Sequence, residues 1–140
     1  QGRAFARYQT PTSSMIRLAP TDGAMTTSHE LGHCLEHQVW GSIAKEFLAY
    51  RTQGEAPQSL KAKFGGNYDP TEIAKGDKFE VVPGGLSESK NWYVGKIYPG
   101  PVSSEITSMA LEYLLRDPRQ FLKDREYTGL ILGLLDGRLR

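Results

Sequence analysis

Residues 29–33 read His-Glu-Leu-Gly-His, and this short run constrains the fold more than any other feature of the chain. In an α-helix, a residue four positions on lies one turn further along nearly the same face, so His29 and His33 can reach one metal ion. Glu30 would then lie beside that ion. Thr26, Thr27 and Ser28 are residues that cap helices, so the helix should begin at or just before the motif. The rest of the fold has to bring a third ligand to this turn.

An ordinary amphipathic helix with surface or partly buried histidines is the alternative reading of this run. Gly32 argues against it, because glycine inside a helix costs about 1 kcal/mol relative to alanine and indicates close approach of a neighbouring strand or of substrate. The three histidines of the chain, at 29, 33 and 37, also lie within little more than two helical turns. The pattern therefore predicts one Zn²⁺ per chain, with Glu30 as general base, in a zinc-dependent peptidase.

The third ligand has to come from outside the motif. His37 lies a full turn beyond His33, too far along the axis to join the same tetrahedron, and is expected to cap or to support a ligand. Glu105 is the stronger candidate, since it lies in the first turn of a second predicted helix, where a glutamate could also serve the helix dipole. Glu112, seven residues later on the same face, is the rival ligand or an acceptor that orients a ligating imidazole. Weaker candidates are Asp69, Glu72 and Asp77.

Length and composition predict a single domain over residues 1–140 with a core of its own. The 17 Lys and Arg nearly balance the 16 Asp and Glu, which argues against nucleic acid or a membrane as partner. The sole cysteine, Cys34, excludes an internal disulfide and is expected to be a small buried apolar residue. A chain that begins at Gln1 is expected to be a fragment, a processed product or a domain of a longer polypeptide.

Pattern and turn signals predict an α+β fold with a small sheet and a mostly helical C-terminal part. In chain order, we expect a strand at 15–18, a helix over 27–52 that could break at Gly41, and an irregular excursion over 53–89 with a short helix near 58–64. A strand or hairpin arm follows at 91–98, then helices over 103–116 and 126–135 with a short segment between them. The strand at 15–18 is either interior or an exposed edge that pairs with an extended peptide.

The motif and its surroundings resemble the gluzincin class of zinc metallopeptidases. The resemblance rests on Thr-Ser-His-Glu-Leu-Gly-His at 27–33 and on Glu105 in Ser-Glu-Ile-Thr-Ser-Met. More narrowly, the chain looks like the compact zincin-like domains of phage structural proteins and of bacterial polymorphic, lethal-factor-type toxins, over about residues 16–135. The shared pattern is HExGHxLEH, then Gly-Lys-x-Tyr at 95–98, then Glu-x-x-Ser-Met and Asp-Pro.

The resemblance implies that Glu105 is the third zinc ligand and that Tyr98, seven residues before it, stabilises the oxyanion. Without it, Tyr98 would be a packed aromatic residue, with Tyr93 the next candidate. The chain departs from the toxin type at Met109, where those enzymes often carry a second acidic residue. The implied substrate is a protein or peptide, and the implied setting is a secreted effector or a virion.

Two other functions fit the same residues. One is a non-catalytic zincin-like domain that serves binding or assembly in a phage or secretion-system protein. The other is a peptidase that cleaves only its own larger parent polypeptide. The presence of Glu30 favours catalysis, because a purely structural zinc site needs no base and is usually closed by a fourth protein ligand.

Overall fold

The computed structural model describes residues 5–10, 13–79 and 88–139. Within them the chain is an α+β protein dominated by helices, as predicted. The helices are α1 (Ala24–Leu35), α2 (Gly41–Arg51), α3 (Leu60–Phe64), α4 (Glu88–Val94), α5 (Ile106–Arg116), α6 (Pro118–Phe121) and α7 (Arg125–Leu135). The strands are β1 (Phe5–Thr10), β2 (Ser13–Arg17), β3 (Gln58–Ser59) and β4 (Ile73–Ala74), paired antiparallel as β1 with β2 and β3 with β4.

The strand predicted at 15–18 is present as β2, within one residue at its end. It is one arm of a hairpin whose other arm, β1, the sequence analysis did not predict. Ala6 lies opposite Ile16, and the register shifts near the turn. Both strands lie against α1, so the hairpin covers part of the motif helix.

The long helix predicted over 27–52 is confirmed, with two differences. It begins earlier, at Ala24, with Gly23 in the capping position, so the threonines and serine before the motif lie inside its first turns. Between α1 and α2 the helix widens into one π turn, Glu36–Trp40. Such π turns occur often at functional sites, and this one directly follows the His-Glu-Leu-Gly-His run.

Gly41 does not break the helix but begins α2 directly after the π turn. A Cβ at this position would lie 2.4 Å from the carbonyl oxygen of Glu36 and 2.4 Å from that of Val102. The glycine therefore permits the loop before α5 to pass close to the start of α2, which matters for the site described below.

The hydrophobic core is built around α5. Its apolar face is buried at Ile106, Met109, Ala110 and Tyr113 and partly buried at Leu114. The other core residues come from α2, α4, α6, α7 and the segment before α4. Burying each large apolar side chain contributes about 1.5–3 kcal/mol, so this core fixes α5 firmly against its neighbours.

The prediction of a strand at 91–98 is wrong. Asn91 to Val94 complete α4, and only one residue of the segment, Lys96, makes a strand-like bridge, to Ala74. Residues that are typical of strands, such as Trp92 and Val94, lie in a helix here. Trp92 packs against Leu60 and Ala74 in a second small cluster. Tertiary packing has overridden a local preference that is weak in any case.

The remaining predicted elements are present. The short helix near 58–64 is α3, and the C-terminal helix is α7, which Asp124 caps by accepting from the Tyr127 amide at 3.1 Å. Of the excursion over 53–89, residues 80–87 lie outside the described part, and the rest holds β3, α3 and β4. Cys34 is buried, as expected. Among the described helices, none combines the length and apolar character needed to cross a bilayer.

Candidate metal centre

The structure brings His29, His33 and Glu105 together from two helices. The histidine rings lie edge to face on consecutive turns of α1, with centroids 4.9 Å apart. Glu105 is the residue that precedes α5. Its Oε2 lies 3.3 Å from Nε2 of His29 and 3.2 Å from Nε2 of His33. One ligand atom from each residue lies within 4.8 Å of the other two, and the described part of the chain holds no second such group.

A close crossing of α1 and α5 makes this convergence possible. A Cβ built on Gly32 would lie 2.4 Å from Cα and 2.7 Å from N of Ser108, well inside van der Waals contact. The glycine inside the motif was expected to admit a strand or substrate, and its neighbour is instead the backbone of α5. Close approach at this point lets a carboxylate from the start of α5 reach two imidazoles on α1.

The three residues fit a bound metal ion. Two imidazole nitrogens and one carboxylate oxygen form a donor set of catalytic zinc sites, which keep the fourth position for water or substrate. With metal–ligand bonds of about 2.0–2.1 Å, ligand atoms in a tetrahedron lie about 3.3 Å apart. Both measured distances to Glu105 match this edge length.

The Glu105 carboxylate is fully buried, and each of its oxygens has donors. The Tyr98 hydroxyl donates to Oε1, and Ser108 Oγ donates to Oε2 at 2.9 Å. Burial alone would raise the pKa of this carboxyl, but hydrogen bonds from His29 and His33, together with their charges, hold the pKa well below its usual range. Burial opposes protonation of His33, yet Glu105 raises the pKa of that imidazole overall. Glu105 is therefore an anion at any physiological pH, as a metal ligand has to be.

Glu30 lies between the two histidines in the sequence and is 7% exposed. Its negative charge adds to the attraction that raises the pKa of His33, so the carboxylate lies within electrostatic reach of the ligand cluster. Among the described residues, no hydrogen bond occupies this carboxylate. It is therefore available to exchange a proton with a molecule held at the cluster.

Tyr98 lies in the loop between α4 and α5, with its hydroxyl on the ligand cluster. Lys45 of α2 holds this loop, donating from Nζ to the carbonyl oxygens of Tyr98 and Gly100, each at 2.6 Å. Burial, and then the charge of Glu105, raises the pKa of Tyr98 far above its usual value, so the group remains a hydroxyl donor. Tyr93, the alternative considered from the sequence, is a hydrogen-bonding neighbour of Tyr98.

Glu112 faces the opposite side of a ligating ring, since its Oε1 lies 3.7 Å from Nδ1 of His29. This distance is longer than a hydrogen bond, and Nδ1 of His29 has no hydrogen-bond partner among the described residues, so Glu112 acts on the ring through its charge. Glu105 is left as the third member of the cluster. His37 lies in the π turn and does not join the group. The weaker candidates Asp69, Glu72 and Asp77 also lie outside the group.

The sequence analysis did not single out Glu36, which the structure places beside the cluster. Its side chain is 1% exposed. Its Oε1 accepts from Ser104 Oγ at 2.6 Å and from the Thr107 amide at 2.7 Å, and its Oε2 accepts from the Ser104 amide at 3.2 Å. Oε2 also lies 3.9 Å from Nδ1 of His33. The available signal was its position three residues after His33, which places the two on one helix face.

Compared with known proteins, the chain matches no protein-family model, no curated protein and no solved structure.

Proposed function

We propose that this chain is a zinc-dependent metalloendopeptidase of the gluzincin type, with a compact zincin-like fold. The observation that carries the proposal is the convergence of two imidazoles on Glu105 beside the nearly buried Glu30. A carboxylate beside such a cluster can take a proton from a water molecule held there. A peptidase needs such a group as its base.

The donor set favours zinc over other common ions. Mg²⁺ and Ca²⁺ prefer sites made of oxygen ligands, whereas imidazole nitrogens with one carboxylate suit Zn²⁺. A bound Zn²⁺ would supply Lewis-acid polarisation of a water molecule and of a peptide carbonyl.

The chain's own groups supply the proton transfers and the orientation. Glu30 accepts the proton of the attacking water and returns it to the departing amine. Tyr98 donates its hydroxyl hydrogen to the oxygen on which negative charge develops. Because that hydroxyl now donates to Glu105, it has to turn towards the substrate during the reaction. The substrate is a protein or peptide, with the larger parent polypeptide as one possible target.

The first experiment measures metal content. Wild-type protein, Glu105→Ala and Glu46→Ala are purified with zinc present, dialysed and analysed by elemental mass spectrometry. Glu46 is an exposed glutamate on α2 and serves as the matched control. We expect about one zinc per chain in the wild type and the control, as for a single catalytic site, and a marked loss in Glu105→Ala. Full zinc in all three would move the third ligand elsewhere, and no zinc in any would refute the proposal.

The second experiment tests hydrolysis. Wild type and Glu30→Gln are incubated with a proteome-derived peptide library, and new termini are identified by mass spectrometry. We expect cleavage by the wild type and none by the variant, with zinc retained in both. Cleavage that persists in Glu30→Gln would refute the assignment of the base.

A zinc-loaded wild type that cuts nothing in the library would favour the assembly or self-processing alternatives. Sequencing the termini of a longer parent chain, with and without Glu30→Gln, would separate these two. Processing that depends on Glu30 would identify self-cleavage, and an intact chain in both would identify the non-catalytic domain.

A further inference from the structure

The buried carboxylate of Glu36 is a costly feature that the proposed reaction does not use. Burial raises the pKa of this carboxyl, and hydrogen bonds from Ser104 and Thr107 only partly oppose the rise. Buried ionisable groups seldom add net stability to a fold, because desolvation offsets most of what their contacts return. A buried carboxylate beside the ligand cluster is therefore expected to act in the site.

The start of α5 supplies the first part of that role. Glu105 occupies the capping position of this helix, yet its side chain makes no capping hydrogen bond, because its carboxylate faces the histidines. Helix N-termini present amide hydrogens that the capping side chain normally accepts. Here Glu36 accepts the Thr107 amide at 2.7 Å, and also the amide and hydroxyl of Ser104.

Glu36, the first residue of the π turn after α1, thus caps α5 in place of the residue that would ordinarily do so. Ser104 and Thr107 flank Glu105, so three hydrogen bonds to one rigid carboxylate fix the backbone on both sides of the ligand. Charge adds to this effect, since the amino end of a helix attracts an anion. The Glu105 carboxylate is left free of capping and can serve as a ligand.

The second part of the role is at the other helix. Oε2 of Glu36 lies 3.9 Å from Nδ1 of His33, the ring nitrogen opposite the one that faces Glu105. This distance is longer than a hydrogen bond, so the carboxylate acts on the ring through its charge, which favours the tautomer with hydrogen on Nδ1. One side chain therefore acts electrostatically on a ligand of α1 and holds the ligand from α5 through the backbone.

We propose that Glu36 is a positioning residue of the metal centre, which caps α5 in place of Glu105 and orients His33, so that both ligands meet the ion in one geometry. The inference rests on the proposed function only in requiring that the cluster binds metal. It does not depend on hydrolysis.

The test compares metal binding by the full 140-residue chain in the wild type, Glu36→Ala and Glu36→Gln. Zinc affinity is measured by competition with a chromophoric chelator, and ligand geometry by the visible spectrum of bound Co²⁺. We expect Glu36→Ala to weaken zinc binding about 10–100-fold, as for other residues that support a ligand, and to alter the cobalt bands. Glu36→Gln keeps one acceptor oxygen for α5 but places a donor near His33, so its loss should be smaller.

Tyr127→Phe is the matched control, because it removes a buried hydrogen bond to the carbonyl of Ile106 at the same end of α5 without touching a ligand. We expect it to lower thermal stability and to leave zinc affinity and the cobalt spectrum unchanged. Wild-type affinity and spectrum in Glu36→Ala would overturn the inference, as would an equal loss of affinity in Tyr127→Phe. If Glu36→Ala does not fold, Glu36→Gln decides by the same criteria. A wild type that binds neither ion would instead refute the proposed function, and this inference with it.

Discussion

Replacing Gly32 by alanine should drive α1 and α5 apart at the point where the proposed metal ligands meet. The added methyl group would lie 2.4 Å from Cα and 2.7 Å from N of Ser108. Both are backbone atoms, so rotation of a side chain cannot relieve the clash. Carbon atoms in ordinary contact lie about 3.5–4.0 Å apart, so the helices would have to separate by about 1–1.5 Å.

A separation of this size should leave the protein folded but should disrupt the arrangement of the ligand atoms. Overpacking costs about 1–3 kcal/mol, and the better helix propensity of alanine returns about 1 kcal/mol, so the protein should remain folded. Ligand distances in a metal site tolerate only about 0.2 Å. Glu105 moves with α5 while His29 and His33 stay on α1, so we expect zinc affinity to fall at least about 10–100-fold.

Gly129→Ala provides the matched control. Gly129 lies on an exposed face of α7, and a Cβ there would have no neighbour within 4 Å. We expect this variant to gain about 0.5–1 kcal/mol of stability from helix propensity and to bind zinc like the wild type. Chelator competition and thermal unfolding measure both quantities. Wild-type zinc affinity in Gly32→Ala would refute the argument that this crossing sets the ligand geometry.

Three further predictions concern the neighbours of the ligands and their protons. Tyr98→Phe should lower kcat of the zinc-loaded protein about 10²–10³-fold, as for loss of an oxyanion donor, and should weaken zinc binding as well, because it removes a hydrogen bond to Glu105; undiminished turnover would exclude the role. Glu112→Gln should weaken zinc binding about tenfold, because it removes the carboxylate behind Nδ1 of His29; chelator competition measures this, and unchanged affinity would contradict it. In the metal-free protein, the raised pKa of His33 contributes stability that is complete below its usual 6.5 and is lost as pH rises through the raised value. The lowered pKa of Glu105 contributes stability that is present above its usual 4.5 and is lost as pH falls through the lowered value. The cluster should therefore stabilise the protein most between pH 4.5 and pH 6.5, as measured by thermal unfolding. An unfolding temperature that rises from this range towards pH 8 would count against the ion pairing.

The part of the site within α1 was predictable because the helix itself sets its geometry. The spacing of His29 and His33 places both rings on one face whatever the rest of the chain does. Gly32 also carried a signal, since a glycine inside a helix indicates close contact. The sequence could not identify the neighbour as α5, because the contact joins Gly32 to Ser108, about 75 residues further along the chain. Local hydrophobic patterns do not reveal contacts across such a sequence separation.

The choice between Glu105 and Glu112 was open for a similar reason. Both lie on one face of the predicted helix, and only the angle and offset of α5 against α1 decide which carboxylate reaches Nε2 and which reaches Nδ1 of His29. Glu36 was harder still, since most glutamates three residues from a histidine are surface groups. Its role follows from the π turn and from the loop that brings Ser104 to it, features with no reliable local signal.

The chain's own groups balance the charges of the proposed ligand cluster, and this should separate metal binding from folding. In small zinc modules the metal supplies the free energy of folding, because the ligands have no framework of their own. Here Ile106, Met109 and Tyr113 anchor α5 in an apolar core, and the charge of Glu105 is met by two imidazoles and two hydroxyl donors. A metal ion bound as proposed would find its three ligand atoms within 4.8 Å of one another. Variants of the supporting residues should therefore weaken zinc binding without unfolding the protein. A loss of zinc would then report a change in the arrangement of the ligand atoms.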